Sequence, residues 1–383
     1  MDLTLDSEFP QRHTQCKWSI WRFGCKGRSA KVAVIDTGVD IDWIHQTYPF
    51  LPLDNIHALD FTTAKQGAED CPGMDHHGSK VIAAILTGAP EAEIFSLRVY
   101  SEGVETTRER FCDALTWCVN SGISIVNISQ GFYFGCSSDE PCMLCRKINT
   151  YTLTADLFAV ISCGDPYTLN EQIERGLSPA ICPALNSRLA WGLGGSIIIG
   201  DRRTNLDRLV GSDEGLSFVA ADFTGGVALL RSRQPTNDVF SVRRAIRRTC
   251  APLVGPPATD LAVGRHCFLL AFLYLEGRRF APNGPASKQL AELKRPARSA
   301  VDTFHAESFK YLMRIVIRLI AKHDWSAAVK DTSDLFETVR SWAEPGHQSI
   351  ILHVLATCFE ALGETNRAAE SYRESDRLLD ADT

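Results

Sequence analysis

Three short stretches of this chain bring together residue types that can do chemistry. The apolar run "KVAVI" (31–35) ends at Asp36-Thr37-Gly38. The segment "HGSKVIAAILTG" (77–88) opens with His77, and "GSDEGLSFVAADFTGGVALL" (211–230) sets Ser217 at the mouth of an Ala/Gly-rich apolar run. Each is common by itself: an acid after a strand also suits phosphate transfer or ribose binding, and a His-Gly pair is ordinary. As a set they are a carboxylate, an imidazole and a hydroxyl. A serine hydroxyl is a poor nucleophile until an imidazole takes its proton, and the imidazole needs a carboxylate to hold its tautomer. The chain order Asp, His, Ser is one in which such triads occur.

The elements that must position these groups follow from hydrophobic periodicity. "KVAVI", "EIFSLRVY" (93–100), "ISIVNIS" (123–129), "LFAVISCG" (157–164) and "LAWGLGGS" (189–196) read as buried strands. Residues 77–88 have helical spacing, and "TTRERFCDALTWCVNSG" is an amphipathic helix with Thr106 or Thr107 as N-cap and Gly122 as its stop. Strands alternating with helices predict a doubly wound α/β domain with a mostly parallel sheet, whose sites gather at the carboxyl ends of strands. Asp36, Ser129 and Asp165 fall at such ends. After about residue 250 the pattern changes. "PLVGPPATD" and "APNGPASK" are breaker-rich, and two helix–turn–helix segments follow. Ala327-Ala328 recur at Ala368-Ala369, a period of 41 residues. The second copy, "ALGETNRAAESYRES", resembles a tetratricopeptide repeat, with a helical cap over the α/β domain as the plainer reading.

The 383 residues carry a net charge of −6, with a pI near 6.0, which argues against a nucleic-acid partner despite the arginines of "VRRAIRRTC". No apolar run reaches the roughly 20 residues of a bilayer span. The N-terminus is acidic and polar where a signal peptide is basic and then apolar, so a cytoplasmic protein without a membrane partner is expected. The 13 cysteines lie in apolar segments and read as reduced, buried thiols. Cys136, Cys142 and Cys145 resemble half a zinc site, but no second pair follows, so neither metal nor cofactor is expected.

The quoted motifs resemble those of the subtilisin-like (S8, subtilase) serine peptidases. The family's D-[ST]-G is matched by Asp36-Thr37-Gly38. Its H-G-[ST]-x-V-A is matched from His77 to Ile82, with Lys80 at a position often held by histidine. Its G-T-S-M-A-x-P-x-V-A-G aligns without gaps on Gly215 to Gly225. The resemblance runs from about residue 30 to 250. It implies a peptidase domain over 30–250, preceded by a leader over 1–29; the change of pattern beyond it reads as a linker and capping helix over 251–304 and a small all-α helical-hairpin domain over 305–383. By the same resemblance His77 is the general base, Asp36 its orienting acid and Ser217 the nucleophile, at a helix N-terminus that faces the oxyanion. Ser129, Gln130 and Gly131 match the segment that pairs with the substrate backbone, and Ser162, Cys163 and Gly164 match the opposite wall of the specificity pocket. The implied ligand is a peptide or protein substrate bound as an added strand. The C-terminal helices are expected to take a protein partner.

The chain also departs from the family. Asp165 stands where the family's oxyanion asparagine is expected, and an ionised carboxylate cannot donate to a developing anion. Losing one such donor costs about 10²–10³ in rate, whereas a protonated Asp165 still donates. Leu216 replaces a threonine, and Ala221-Asp222 replaces Pro-His, which turns a carboxylate toward a buried interior. The connection from Ser196 to Gly215 is short, and "SEFPQRHTQCKWSIW" ahead of the domain has the length to cover the cleft. These departures support a second reading, a degenerate subtilisin fold kept as an interaction module. Two further readings carry less: His76 as a second catalytic histidine, and Asp75-His76-His77 as part of a metal phosphoesterase.

Overall fold

The computed structural model describes residues 17, 20–21, 24–62, 67–71, 74–102, 105–129, 132–133, 143–162, 177–178, 197–199, 216–233, 238–249, 268–277, 324–341, 343 and 345–380. The chain divides into two compact units, 1–240 and 241–383.

In the first unit the strands are β1 (Lys31–Asp36), β2 (Ile56–Asp60), β3 (Glu93–Arg98), β4 (Ile125–Ile128), β5 (Phe132–Tyr133), β6 (Phe158–Ser162), β7 (Leu177–Ser178) and β8 (Ile197–Ile199). Six of them form one parallel sheet in the order β2-β3-β1-β4-β6-β8, and β5 pairs antiparallel with β7. Every residue of β4 and β6 is buried. Successive side chains point to opposite faces, so both faces of the sheet are covered.

The covers are two helix pairs. The helices of this unit are α1 (Ile41–Thr47), α2 (His77–Gly88), α3 (Arg108–Asn120), α4 (Met143–Thr154) and α5 (Leu216–Arg233), and α6 (Val239–Thr249) follows. Helix α2 packs on α5, and α3 packs on α4. Thr107 is the N-cap of α3, accepting from the Arg110 amide at 3.3 Å, while Thr106 donates to the Val99 carbonyl. The Ala/Gly composition of α5 is explained by its surroundings. Ala220, Ala221, Thr224, Val227, Ala228 and Leu229 are all buried, so the helix has no solvent face to pattern. A Cβ on Gly225 would lie 2.8 Å from the Ile85 carbonyl oxygen, so only glycine permits the α2–α5 approach.

The expected strands at 31–35, 93–100, 123–129 and 157–164 are present as β1, β3, β4 and β6. Strand β2, at the sheet edge and half exposed, lacked the apolar run that would reveal it. "LAWGLGGS" lies outside the described residues, and β8 follows it directly.

Contacts of the first unit begin upstream of residue 30. Lys17 is fully buried, and its ammonium pairs with the Asp222 carboxylate and donates to the Asp222 carbonyl at 2.9 Å. Trp21 Nε1 donates to the Gly88 carbonyl at 2.9 Å, and Cys25 Sγ to that of Leu229 at 3.1 Å. These residues therefore pack at the Gly88 end of α2, a full helix length from His77. The inward-turned acid on α5 has a cation partner.

The second unit contains α7 (Phe268–Gly277), α8 (Trp325–Val339), α9 (Pro345–Ala361) and α10 (Thr365–Asp380). Helix α9 packs against both α8 and α10. Gly363 (φ 78°) turns the chain between α9 and α10, and Leu355, Ala356, Phe359, Ala368 and Tyr372 form their shared core. Of the two Ala-Ala pairs, Ala328 and Ala368 are the buried members, 40 residues apart, one short of the alignment of the pairs. No helix of the described residues is long and apolar enough to cross a membrane.

Removing the ammonium from the Lys17–Asp222 pair takes the cation away from a mostly buried carboxylate on α5. Lys17→Met is expected to lower stability by about 1–3 kcal/mol, the partial exposure of Asp222 keeping the loss below that of a fully buried pair. The double variant Lys17→Met/Asp222→Leu should recover most of it. Urea unfolding of the three proteins checks this, and an unchanged midpoint for Lys17→Met contradicts it.

Candidate active site

Strand β1 lies between β3 and β4, where the chain's progress across the sheet reverses, and Asp36 is its last residue. Ligands of open α/β sheets bind at the carboxyl ends of strands beside such a switch point. In register, Asp36 lies opposite Arg98 at the end of β3, and Ile35 lies opposite Ile128 at the end of β4, which leads into Ser129. Ser162 ends β6 and is buried. Three of the residues singled out in the sequence thus share one edge of the sheet.

Helix α2 delivers the imidazole to the same edge. The preceding residues Asp75 (φ 46°) and His76 (φ 54°) take left-handed backbone conformations, which swing the chain sharply into the helix. A Cβ on Gly78 would lie 2.2 Å from the Gly38 carbonyl oxygen, so glycine at 78 lets the start of α2 touch the end of β1. His77 Nδ1 lies 2.7 Å from Asp36 Oδ1. A carboxylate only accepts, so Nδ1 carries the proton and Nε2 presents a lone pair. Asp36 is almost fully buried. Its Oδ1 also accepts from the Thr37 amide at 2.8 Å, and its Oδ2 has no hydrogen-bond partner among the described residues.

Burial of His77 disfavours its charged form, but the Asp36 carboxylate, by charge and by hydrogen bond, outweighs it with help from Asp70, while Lys80 opposes them. The net effect raises the pKa above the ordinary 6.5. Beside them the Tyr100 phenol is held well above its usual range by burial and by the Asp36 charge, and stays neutral.

Ser217 is the second residue of α5, where backbone amides have no partner within the helix. Next to it, the Phe218 ring packs on His77 with centroids 5.6 Å apart, which places the serine at the imidazole's corner of the site. Its hydroxyl does not donate to the imidazole. It donates to the Ser129 carbonyl at 3.0 Å, and Ser129 Oγ in turn lies 3.2 Å from the Ser217 carbonyl. Ser129 Oγ is also 2.8 Å from Asn127 Oδ1, and Asn127 Nδ2 donates to Thr224 Oγ1 at 3.0 Å. This buried amide ties β4 to α5 and aligns Ser129 with Ser217. A single asparagine inside "ISIVNIS" was its only trace in the sequence.

His76 stacks on Trp43 (centroids 4.8 Å, interplanar angle 7°), with Nδ1 3.5 Å from Asp40 Oδ2, and belongs to the rim. Asp75 pairs with Lys80 at 2.8 Å, and no group of three or more His, Cys, Asp or Glu among the described residues is placed to hold a metal. Cys145 is buried on α4 and forms no disulfide among the described residues. Gln130, Gly131, Cys136, Cys142, Cys163, Gly164, Asp165 and the 200–215 connection lie outside the described residues.

Because carboxylates hold the imidazolium, His77 is expected to titrate above 6.5 in the folded protein. In Asp36→Asn the burial penalty loses its main opponent, and the value should fall below that of the unaltered chain. NMR titration of the His77 ring protons in both proteins checks the sign, and an equal or higher value in Asp36→Asn would refute it.

Comparison with known proteins agrees with this geometry. Residues 27–205 match the model of the subtilase family, Peptidase_S8. Subtilisin Savinase of Lederbergia lenta is 22% identical over 246 residues, covering 60% of this chain and 86% of the relative. An alkaline protease of Alkalihalobacillus alcalophilus is also 22% identical over 246 residues, with 61% of its own length covered. Among solved structures, a lanthipeptide protease superposes with a TM-score of 0.52 at 17% identity, covering 71% of this chain and 95% of that one, a likeness of fold. Strand order and family match agree: residues 27–205 are similar to the subtilase family, which supports a serine endopeptidase.

Proposed function

We propose that this protein hydrolyses peptide bonds through Asp36, His77 and Ser217, by way of an acyl-enzyme. The observation that carries the reading is the 2.7 Å bond from His77 Nδ1 to buried Asp36, with Ser217 at a helix N-terminus beside the same imidazole. That bond fixes the tautomer in which Nε2 is free to take the serine proton. Ser217 Oγ attacks the scissile carbonyl, and the resulting oxyanion lies at the N-terminus of α5, where unpaired amides and the helix dipole favour negative charge. Collapse breaks the C–N bond, and His77 returns the proton to the leaving amine. Water then attacks the ester by the reverse proton route.

The Ser129 carbonyl has two claimants. A substrate strand paired beside it offers a peptide N–H, which displaces the Ser217 hydroxyl and leaves that hydroxyl free to turn to His77. Ser162 and, by resemblance, Gln130, Gly131, Cys163 and Gly164 line the strand-binding edge and pocket. Asp165, by resemblance, is the second oxyanion donor and works in its protonated form. The protein acts inside the cell, and its helical hairpins, similar in pattern to tetratricopeptide repeats, recruit a protein partner.

One observation favours the alternative of a domain retained for interaction only: the nucleophile's hydroxyl is bonded to a backbone carbonyl and not to its base. Labelling with a fluorophosphonate probe separates the readings. The unaltered protein should be phosphonylated on Ser217, Ser217→Ala should not, and Asp36→Asn should react about 10⁴-fold more slowly. No labelling of the unaltered protein at any pH from acid to alkaline would leave the interaction module.

A protonated Asp165 predicts a particular pH profile. Activity needs His77 neutral, so it rises through the raised His77 pKa, and it declines at higher pH as Asp165 loses its proton. Asp165→Asn is expected to remove the alkaline decline and keep the acid limb. An unchanged alkaline limb would sink that role for Asp165.

A further inference from the structure

The start of α2 carries a gap in its own capping. His76 occupies the N-cap and gives no side-chain hydrogen bond to the first turn. Two side chains from elsewhere fill the gap. Thr37 Oγ1 accepts from the Gly78 amide at 2.9 Å, and Asp70 Oδ2 accepts from the Ser79 amide at 2.9 Å. Asp70 takes two hydroxyl donors as well: Ser79 Oγ at 2.6 Å on Oδ2, and Thr37 Oγ1 in a short bond on Oδ1. Both hydroxyl protons are committed to Asp70, because each hydroxyl oxygen is itself an acceptor, Thr37 from Gly78 and Ser79 from the Asp40 amide at 2.7 Å. The Cys71 amide, at 3.1 Å from Oδ1, completes the set.

Thr37 is the residue after Asp36, and Ser79 is two residues after His77. One carboxylate therefore spans the two chain segments whose side chains meet at 2.7 Å. The loop that carries Asp70 is itself strapped down. Arg98, buried at the end of β3, donates Nη1 to the Gly67 and Glu69 carbonyls at 3.1 and 3.0 Å, and Nε to the Tyr100 carbonyl at 2.9 Å. Asp60 accepts from the Thr62 amide before the loop and from the amide of Gly67, the residue whose carbonyl Arg98 holds. Such redundancy is more than a surface acid at a helix terminus requires.

We infer that Asp70 is a positioning residue of the proposed hydrolysis, a carboxylate bracket that holds the Asp36 and His77 segments in hydrogen-bonding register. The inference rests on the peptidase reading for its kinetic consequence and on geometry alone for its structural one. Asp70 bonds to Thr37, Cys71 and Ser79 and not to the side chains of the pair, so it acts through the segments that carry them. Its charge also acts on the imidazole, in the same direction as Asp36 and against Lys80.

The test uses the full chain and three variants, Asp70→Ala, Asp70→Asn and Ser217→Ala. The low-field ¹H resonance of the His77 Nδ1 proton reports the bond to Asp36. It is expected to be retained in Asp70→Asn, whose amide fills the same space, and lost in Asp70→Ala. The His77 titration should move to lower pH in Asp70→Asn. Fluorophosphonate labelling is then expected to fall by about 10²-fold in Asp70→Ala, the scale of a misplaced catalytic group, while the acid limb of Asp70→Asn moves downward. Should Asp70→Ala fail to fold, Asp70→Asn carries the test by its titration and acid limb. A retained Nδ1 resonance in folded Asp70→Ala, or a His77 titration unmoved in Asp70→Asn, overturns the bracket. If the unaltered chain labels no better than Ser217→Ala, the peptidase reading fails, and the Nδ1 resonance still decides the bracket.

Discussion

The hydrogen bond between Asp36 and His77 joins residues 41 positions apart, and the rest of the first unit is arranged around it. Forming it requires the end of a buried strand to touch the start of a helix that follows a different strand. Two features make that contact possible. Glycine at 78 removes the side chain that would collide with the Gly38 carbonyl, and left-handed turns at Asp75 and His76 aim the helix at the strand end. Once α2 is so placed, its packing on α5 carries Ser217 to the same corner.

Electrostatics at this corner run in one direction. Asp36 and Asp70 converge on the positive end of α2, where the helix dipole and unpaired amides favour anions. The acids in turn favour the protonated form of His77 and offset the penalty of burying it. The cost of desolvating Asp36 is thus coupled to a property of its neighbour: an imidazole that holds its proton more firmly than a free one does.

Several departures from the family pattern have local answers. Asp222, which would be an uncompensated carboxylate on a buried helix, is matched by Lys17, and the buried side chains of Ile20 and Cys25 extend the same contact surface upstream of the first strand. The pair is a substitution spread over residues 205 apart in the chain. Nothing in "QCKWSI" marks Lys17 as interior, because an isolated lysine in a polar segment normally reads as solvated. Asp70 was equally silent: a loop acid acquires meaning only beside Thr37 and Ser79. Strand β2 was hidden because an edge strand with exposed positions lacks the apolar run that marked β1, β4 and β6.

Composition and periodicity alone were enough to reveal the class of fold, the chain order of the candidate catalytic residue types and the alternation that puts Asp36 and Ser129 at strand ends. Those are properties of local composition and period, and local rules suffice for them. They also set the helices of the C-terminal hairpin, which the turn at Gly363 punctuates. Which groups meet is a matter of the three-dimensional arrangement: that His77 presents Nε2 because Asp36 takes Nδ1, that the Ser217 hydroxyl bonds to the Ser129 carbonyl, that Asp70 caps the Ser79 amide and that Lys17 is an interior partner. The physical reason is that capping, ion pairing and tautomer choice depend on distances of a few ångströms between segments far apart in the chain. Local periodicity carries no information about those distances.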